Sequence, residues 1–133
     1  MHKILIIDDD KLIRWSMQEL LRQDGFKVDT AADPEEALAL LASKYFHLII
    51  AEIEFSEGRG VEMLRKIRSL SPESAIILLS ALNPEQVEKM VTRNDFGPIL
   101  TKPYDSDKIR AVVQSSLELV DKSKNPNKFK KEV

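Results

Sequence analysis

The residues of this chain that could do chemistry stand directly after short apolar runs. Ile4-Leu5-Ile6-Ile7 leads into Asp8-Asp9-Asp10, and Leu48-Ile49-Ile50-Ala51 into Glu52, with Glu54 two residues on. Ile76-Ile77-Leu78-Leu79 leads into Ser80-Ala81, and Ile99-Leu100 into Thr101-Lys102-Pro103. Clustered carboxylates repel one another and need a cation or shared protons. An all-oxygen acidic set suits a hard divalent ion such as Mg²⁺. A lysine and a hydroxyl beside it suit a phosphoryl group bridged to that ion. Taken singly the signals are bland: acids after a strand ordinarily start a helix, and a lysine before a proline is ordinarily a loop residue. The chemistry requires that all four run ends meet.

The pattern between the runs says how they could. Continuous apolar runs rich in β-branched residues suit strands buried on both faces. Val28 and Ile99-Leu100 are fainter versions, suited to outer strands. Between them lie helical stripes. Ile13, Met17, Leu20, Leu21 and Asp24 form the first, with Gly25 as a stop. Asp33-Pro34-Glu35-Glu36 opens the second, with a cap, a proline at the first position and acids at the positive end of the dipole. Val61, Leu64, Ile67 and Arg68 form the third, and Asn83-Pro84-Glu85 opens the fourth. The fifth is the clearest, with Ile109, Val112, Val113, Ser116, Leu117 and Val120 started by Asp105 or Ser106.

Strand and helix thus alternate five times. That predicts an α/β fold with right-handed crossovers and a parallel sheet covered on both faces. The natural candidate is a flavodoxin-like (βα)5 domain of strand order 2-1-3-4-5. Periodicity supports the class and leaves the order open. In such a sheet ligands bind beyond the carboxyl ends of the strands, where Asp8, Glu52, Ser80 and Lys102 fall.

Composition bounds the function. The 133 residues suit one domain, which should bury roughly 68% of its unfolded surface. Absence of cysteine excludes a disulfide framework, a thiolate zinc site and a cysteine nucleophile. Two histidines cannot supply a multi-histidine metal cluster. With 20 basic and 22 acidic residues the formal charge is −2, so a nucleic-acid-binding face is not expected. Neither a membrane-length apolar run nor a signal-peptide core is present, which predicts a cytoplasmic protein. The charge is uneven: residues 121–133 hold five lysines and two acids, whereas residues 1–120 carry a net charge of −5. The domain is therefore expected over 1–120, with 121–133 a basic flexible tail.

Four segments, ILIIDDD at 4–10, HLIIAEIE at 47–54 followed by Gly60, IILLSA at 76–81 and LTKP at 100–103, resemble the receiver domain of bacterial two-component response regulators. The resemblance covers residues 1 to about 120. It implies that Asp8 and Asp9 bind Mg²⁺, with the backbone carbonyl of Glu54 as a further ligand. It also implies that the Ser80 hydroxyl and the Lys102 ammonium contact the phosphoryl group, and that a cis bond precedes Pro103. The opening DDDKLIRWSMQELL is similar to receivers of regulators that carry an ATPase and a DNA-binding domain. Neither is expected in this chain, which reads as a stand-alone receiver.

Departures from the family pattern set the expected mode of action. The family's phosphoacceptor is an aspartate ending the third strand, and here that position is Glu52. Ser56 stands where a proline is usual, and Ile99 where a switching Tyr or Phe is common. Glutamate carries its carboxylate about 1.5 Å further out, and a misplacement near 1 Å can cost on the order of 10²-fold in a positioned reaction. Conventional phosphorylation is therefore not expected. The longer arm should push its charge toward Ser80 and Lys102, pair with Lys102 and partly imitate the phosphorylated state; the alternative is a decayed site in which Glu52 is a tolerated acid. Any Mg²⁺ held by Asp8, Asp9, Glu52 and Glu54 should bind weakly. The expected role is non-enzymatic protein binding, to a sensor histidine kinase or an output protein. A homodimer through the face of the fourth helix, fifth strand and fifth helix is a further expectation. Leu12 and Trp15, off the buried stripe of the first helix, offer a second apolar contact. The competing reading is a Mg²⁺-dependent aspartate-type phosphatase or phosphotransferase using Asp8 and Asp10; it lacks the further acids such enzymes need after the fourth strand.

Overall fold

A computed structural model describes residues 1–54, 59–91 and 96–124, without the side chains of 123 and 124. Ser56 and the tail from residue 125 onward lie outside the described residues. The elements alternate as β1 (Lys3–Ile7), α1 (Lys11–Gln23), β2 (Lys27–Ala31), α2 (Pro34–Ser43) and β3 (Leu48–Glu52), then α3 (Gly60–Leu70), β4 (Ala75–Ser80), α4 (Pro84–Met90), β5 (Ile99–Thr101) and α5 (Ser106–Lys124). The five strands form one parallel sheet of order β2-β1-β3-β4-β5. The chain has the flavodoxin-like architecture expected of the alternation.

The period-2 alternation of each central strand divides the core between the two faces. Leu5, Ile7, Ile49, Ala51, Ile76 and Leu78 pack with Ala37, Leu41, Met63, Leu64, Ile67 and Val87 from α2, α3 and α4. Ile4, Ile6, Leu48, Ile50, Ile77 and Leu79 pack on the other face with Met17 and Leu21 of α1 and with Ile109, Val113 and Leu117 of α5. Double-sided burial explains why these strands read as unbroken apolar runs.

Local chemistry ends the helices where their residues allow it. Asp10 caps α1 by accepting from Leu12 N and Ile13 N. Asp33 caps α2 by accepting from Glu36 N, with Pro34 in its first turn. Asn83 and Gln86 make a reciprocal capping box on α4. Asp105, rather than Ser106, caps α5 by accepting from Lys108 N at 2.7 Å. Strand β2 is longer than its faint apolar signal, and one boundary differs from expectation. Edge strand β2 is five residues long although only Val28 and Ala31 of it are buried. Helix α5 continues past Val120 to Lys124, so the helix takes in the first four residues of the expected tail. Lys122 there suits the negative end of the helix dipole.

Two residues from the helical stripes face polar partners. Asp24 pairs with Arg110 at 2.9 Å, and Arg68 donates to the carbonyls of Pro72 and Ser74. Gly60, at the start of α3, sits where a Cβ would lie 1.8 Å from the Ile53 carbonyl oxygen. The return of the chain after β3 therefore requires a residue without a side chain there.

Candidate functional site

Parallel pairing brings the carboxyl ends of β1, β3, β4 and β5 to one edge of the sheet. Asp8, Glu52 and Ser80 are there, each at most 1% exposed. Lys102 follows β5, with its backbone N–H donating to the Ser80 carbonyl at 2.8 Å and a cis peptide bond to Pro103. Its ammonium lies 2.7 Å from Glu52 Oε2 and 3.8 Å from Asp8 Oδ2. The sequence-derived Glu52–Lys102 ion pair is therefore present. Glu52 Oε1 accepts from Glu54 N at 3.0 Å, and Asp8 Oδ1 accepts from Asp10 N at 2.8 Å. Arg14 donates to the Asp8 carbonyl.

The expectation that Glu52 would also reach Ser80 is not met. The Ser80 hydroxyl instead bonds the carboxylate of Glu54. The same oxygen, Glu54 Oε1, accepts from Ala81 N at 2.8 Å and Leu82 N at 3.0 Å. Both oxygens of Glu52 are directed elsewhere, one to the Glu54 N–H and one to Lys102. The Glu54 side chain takes the donors at the end of β4. The sequence reading assigned Glu54 only a backbone carbonyl. An acid two residues beyond β3, on the neighbour of a strand ending in serine, was the available signal.

The electrostatics follow from burial and contact. Burial pushes the Glu52 carboxyl up to about 7, against the pull of the Lys102 ammonium, with Asp8 adding to the rise. Burial likewise raises Asp8, partly offset by the Asp10 N–H and Lys102. For Lys102 burial acts downward, but Glu52, Asp8 and Glu54 together hold it above the ordinary lysine value. Partial burial also works to raise Glu54, yet the Ser80 hydroxyl and the Leu82 and Ala81 N–H groups hold it below the usual carboxylate range. Tyr104, missed by the sequence reading, has a buried hydroxyl with no hydrogen-bond partner. Burial and the charges of Glu52, Asp8 and Glu54 push it far up.

The other expected residues are less engaged. Asp9 is exposed. Asp10, the partner of Asp8 in the phosphatase reading, spends its carboxylate on the cap of α1. Ile99 is partly buried in β5, paired with Leu78. Leu12 and Trp15 are 71% and 59% exposed on α1.

Buried carboxylates, a serine hydroxyl and a lysine gathered at the strand ends of a doubly wound parallel sheet are what this fold and site define. The family model of the response regulator receiver domain matches residues 4–114, and the chain belongs to that family. The transcriptional regulatory protein ZraR of Salmonella typhimurium is 31% identical over 116 residues, covering 86% of this chain and 26% of that protein. The chain thus spans about a quarter of that relative's length. A two-component response regulator from Clostridium difficile superposes with a TM-score of 0.82 at 30% identity, covering 89% of this chain and 97% of that one. The response regulator TrrA of Thermotoga maritima, solved in complex with Mg(2+)-BeF, gives a TM-score of 0.77 at 29% identity, covering 87% of this chain and 99% of that one.

Receivers bind Mg²⁺ at their phosphorylation site. Here two buried carboxylate oxygens, Asp8 Oδ2 and Glu52 Oε2, are donors of the type such an ion takes. The Lys102 ammonium already stands against both. Among the described residues, no group of three or more His, Cys, Asp or Glu side chains forms a metal site. The donor chemistry of the two carboxylates fits the ion, and the cation that stands against them in this structure is Lys102.

Proposed function

We propose that the chain is a receiver module of two-component signalling that acts by binding another protein and is not phosphorylated in the conventional way. Glu52 stands at the position of the family's phosphoacceptor, and its pairing with Lys102 partly imitates the phosphorylated state. The observation that carries this reading is the 2.7 Å contact of Lys102 with Glu52 at the end of β3. In a receiver that lysine is the group available to a phosphoryl oxygen, and here an internal carboxylate engages it. Glu52 brings less charge than a phosphoryl group, which carries about −1.5 to −2 and three acceptor oxygens. Asp8 and Asp9 would hold a Mg²⁺ ion, whose charge would offset theirs, but only after Lys102 withdraws. Binding is therefore weak.

The partner is a protein of the same signalling class, a sensor histidine kinase or an output protein, and the site of action is the cytoplasm. No described helix is long and apolar enough to cross a membrane. Ile99 lacks the ring and hydroxyl through which an aromatic at that position would follow Ser80, so the surface of α4, β5 and α5 is held in one state rather than switched. The test is incubation with acetyl phosphate and Mg²⁺, read by intact mass and by Trp15 fluorescence. The expected result is an unchanged mass and a flat fluorescence trace. Addition of one phosphoryl group mapping to Glu52 would overturn the reading.

A further inference from the structure

Three donors converge on one oxygen of Glu54: the Ser80 hydroxyl and the consecutive N–H groups of Ala81 and Leu82. Leu82 N also lies 2.9 Å from Ser80 Oγ, which ties the hydroxyl into the same turn. Consecutive backbone N–H groups pointing into one concavity make a site for an anion, and charge-assisted bonds to a carboxylate are the stronger kind. Lys102 meanwhile pairs with Glu52 and not with Glu54 at bonding distance. The two groups that the receiver resemblance assigns to the phosphoryl group, Ser80 and Lys102, are thus both engaged by carboxylates of this chain, and by different ones.

We propose that Glu54 is the built-in occupant of an oxyanion site formed by Ser80, Ala81 and Leu82, and that Glu52 and Glu54 divide between them the contacts of one phosphoryl group. This deepens the reading given above and rests on it. A single carboxylate supplies one negative charge, whereas a phosphoryl group carries about −1.5 to −2; the pair of glutamates supplies the difference. The division also follows from reach. Glu52 is anchored by the Glu54 N–H on one side and by Lys102 on the other, so the donors after β4 need a second acid. An external oxyanion must displace Glu54 before it can bind.

The full chain carrying Glu54→Ala, compared with wild type by amide NMR and titrated with inorganic phosphate, tests this. In the variant the Ala81 and Leu82 amide signals should move, because their charged acceptor is gone. Phosphate should then bind at least about tenfold more tightly than to wild type and move those two signals back toward their wild-type positions. Glu54→Gln, which keeps an oxygen but not the charge, should fall between the two and serves if the alanine variant does not fold. Unmoved amides in both variants would overturn the proposal. So would displaced amides that phosphate fails to move back, since Glu54 would then be only a structural brace. Neither failure bears on Glu52, whose role is read separately by acetyl phosphate.

Discussion

Glu52 is one methylene longer than the aspartate its position calls for, and that methylene changes which partners it can meet. Its second oxygen lies beside Lys102 and its first accepts a backbone N–H. Its titration works against the fold at neutral pH. Burial raises its folded value to about 7 from 4.5, so the folded chain binds the extra proton between those limits. The stabilising contribution is complete below the unfolded value and is lost as pH rises through the folded one. Denaturant unfolding from pH 5 to pH 8 should show stability falling by up to about 3 kcal/mol in wild type, and Glu52→Gln should flatten that fall. Lys102→Ala should leave Asp8 and Glu52 buried without their cation. The expected loss is about 2–3 kcal/mol at pH 8, less than for a wholly buried pair because the lysine is partly exposed, and smaller at pH 5, where Glu52 can take a proton. Chemical denaturation of that variant at the two pH values checks the sign.

The apolar strand runs and the helix caps could be read directly, because both are local: a strand buried on two faces must be apolar throughout, and a cap bonds N–H groups two or three residues away. Asp33 and Asn83 behave as their types imply. Asn83→Ala should therefore cost about 1 kcal/mol, measurable as a lowered urea midpoint. Strand β2 was faint because it is an edge strand with two buried residues. The end of α5 is not legible in the apolar stripe, which stops at Val120 while the helix runs on to Lys124. Gly60 is legible only in three dimensions, through its approach to Ile53. Gly60→Ala should force the segment after β3 to shift and cost about 1–3 kcal/mol, and it should disturb Glu54 as well, which the Ala81 and Leu82 amide signals would register.

At the scale of the whole molecule, strand order places four separate sequence segments on one edge, and the acids, the hydroxyl and the lysine follow. The meeting of Asp8, Glu52, Ser80 and Lys102 could be anticipated from the strand ends because parallel topology leaves little choice. The role of the Glu54 side chain could not, because it depends on where the backbone N–H groups after β4 point, a tertiary fact with no sequence period. The same arrangement sets the expected response to metal. Calorimetric titration with Mg²⁺ should show weak binding in wild type and tighter binding in Lys102→Ala, where the competing ammonium is gone.

The central claim is that an internal ion pair holds this pocket. It is tested most directly by following the Glu52 side-chain carboxyl and the Lys102 ammonium together by NMR across pH 4 to 9, with Glu52→Gln as the control. The account predicts that the Lys102 signal moves in the same step as the Glu52 carboxyl and is still in the control. A Lys102 signal that is indifferent to the titration of Glu52 would contradict the account.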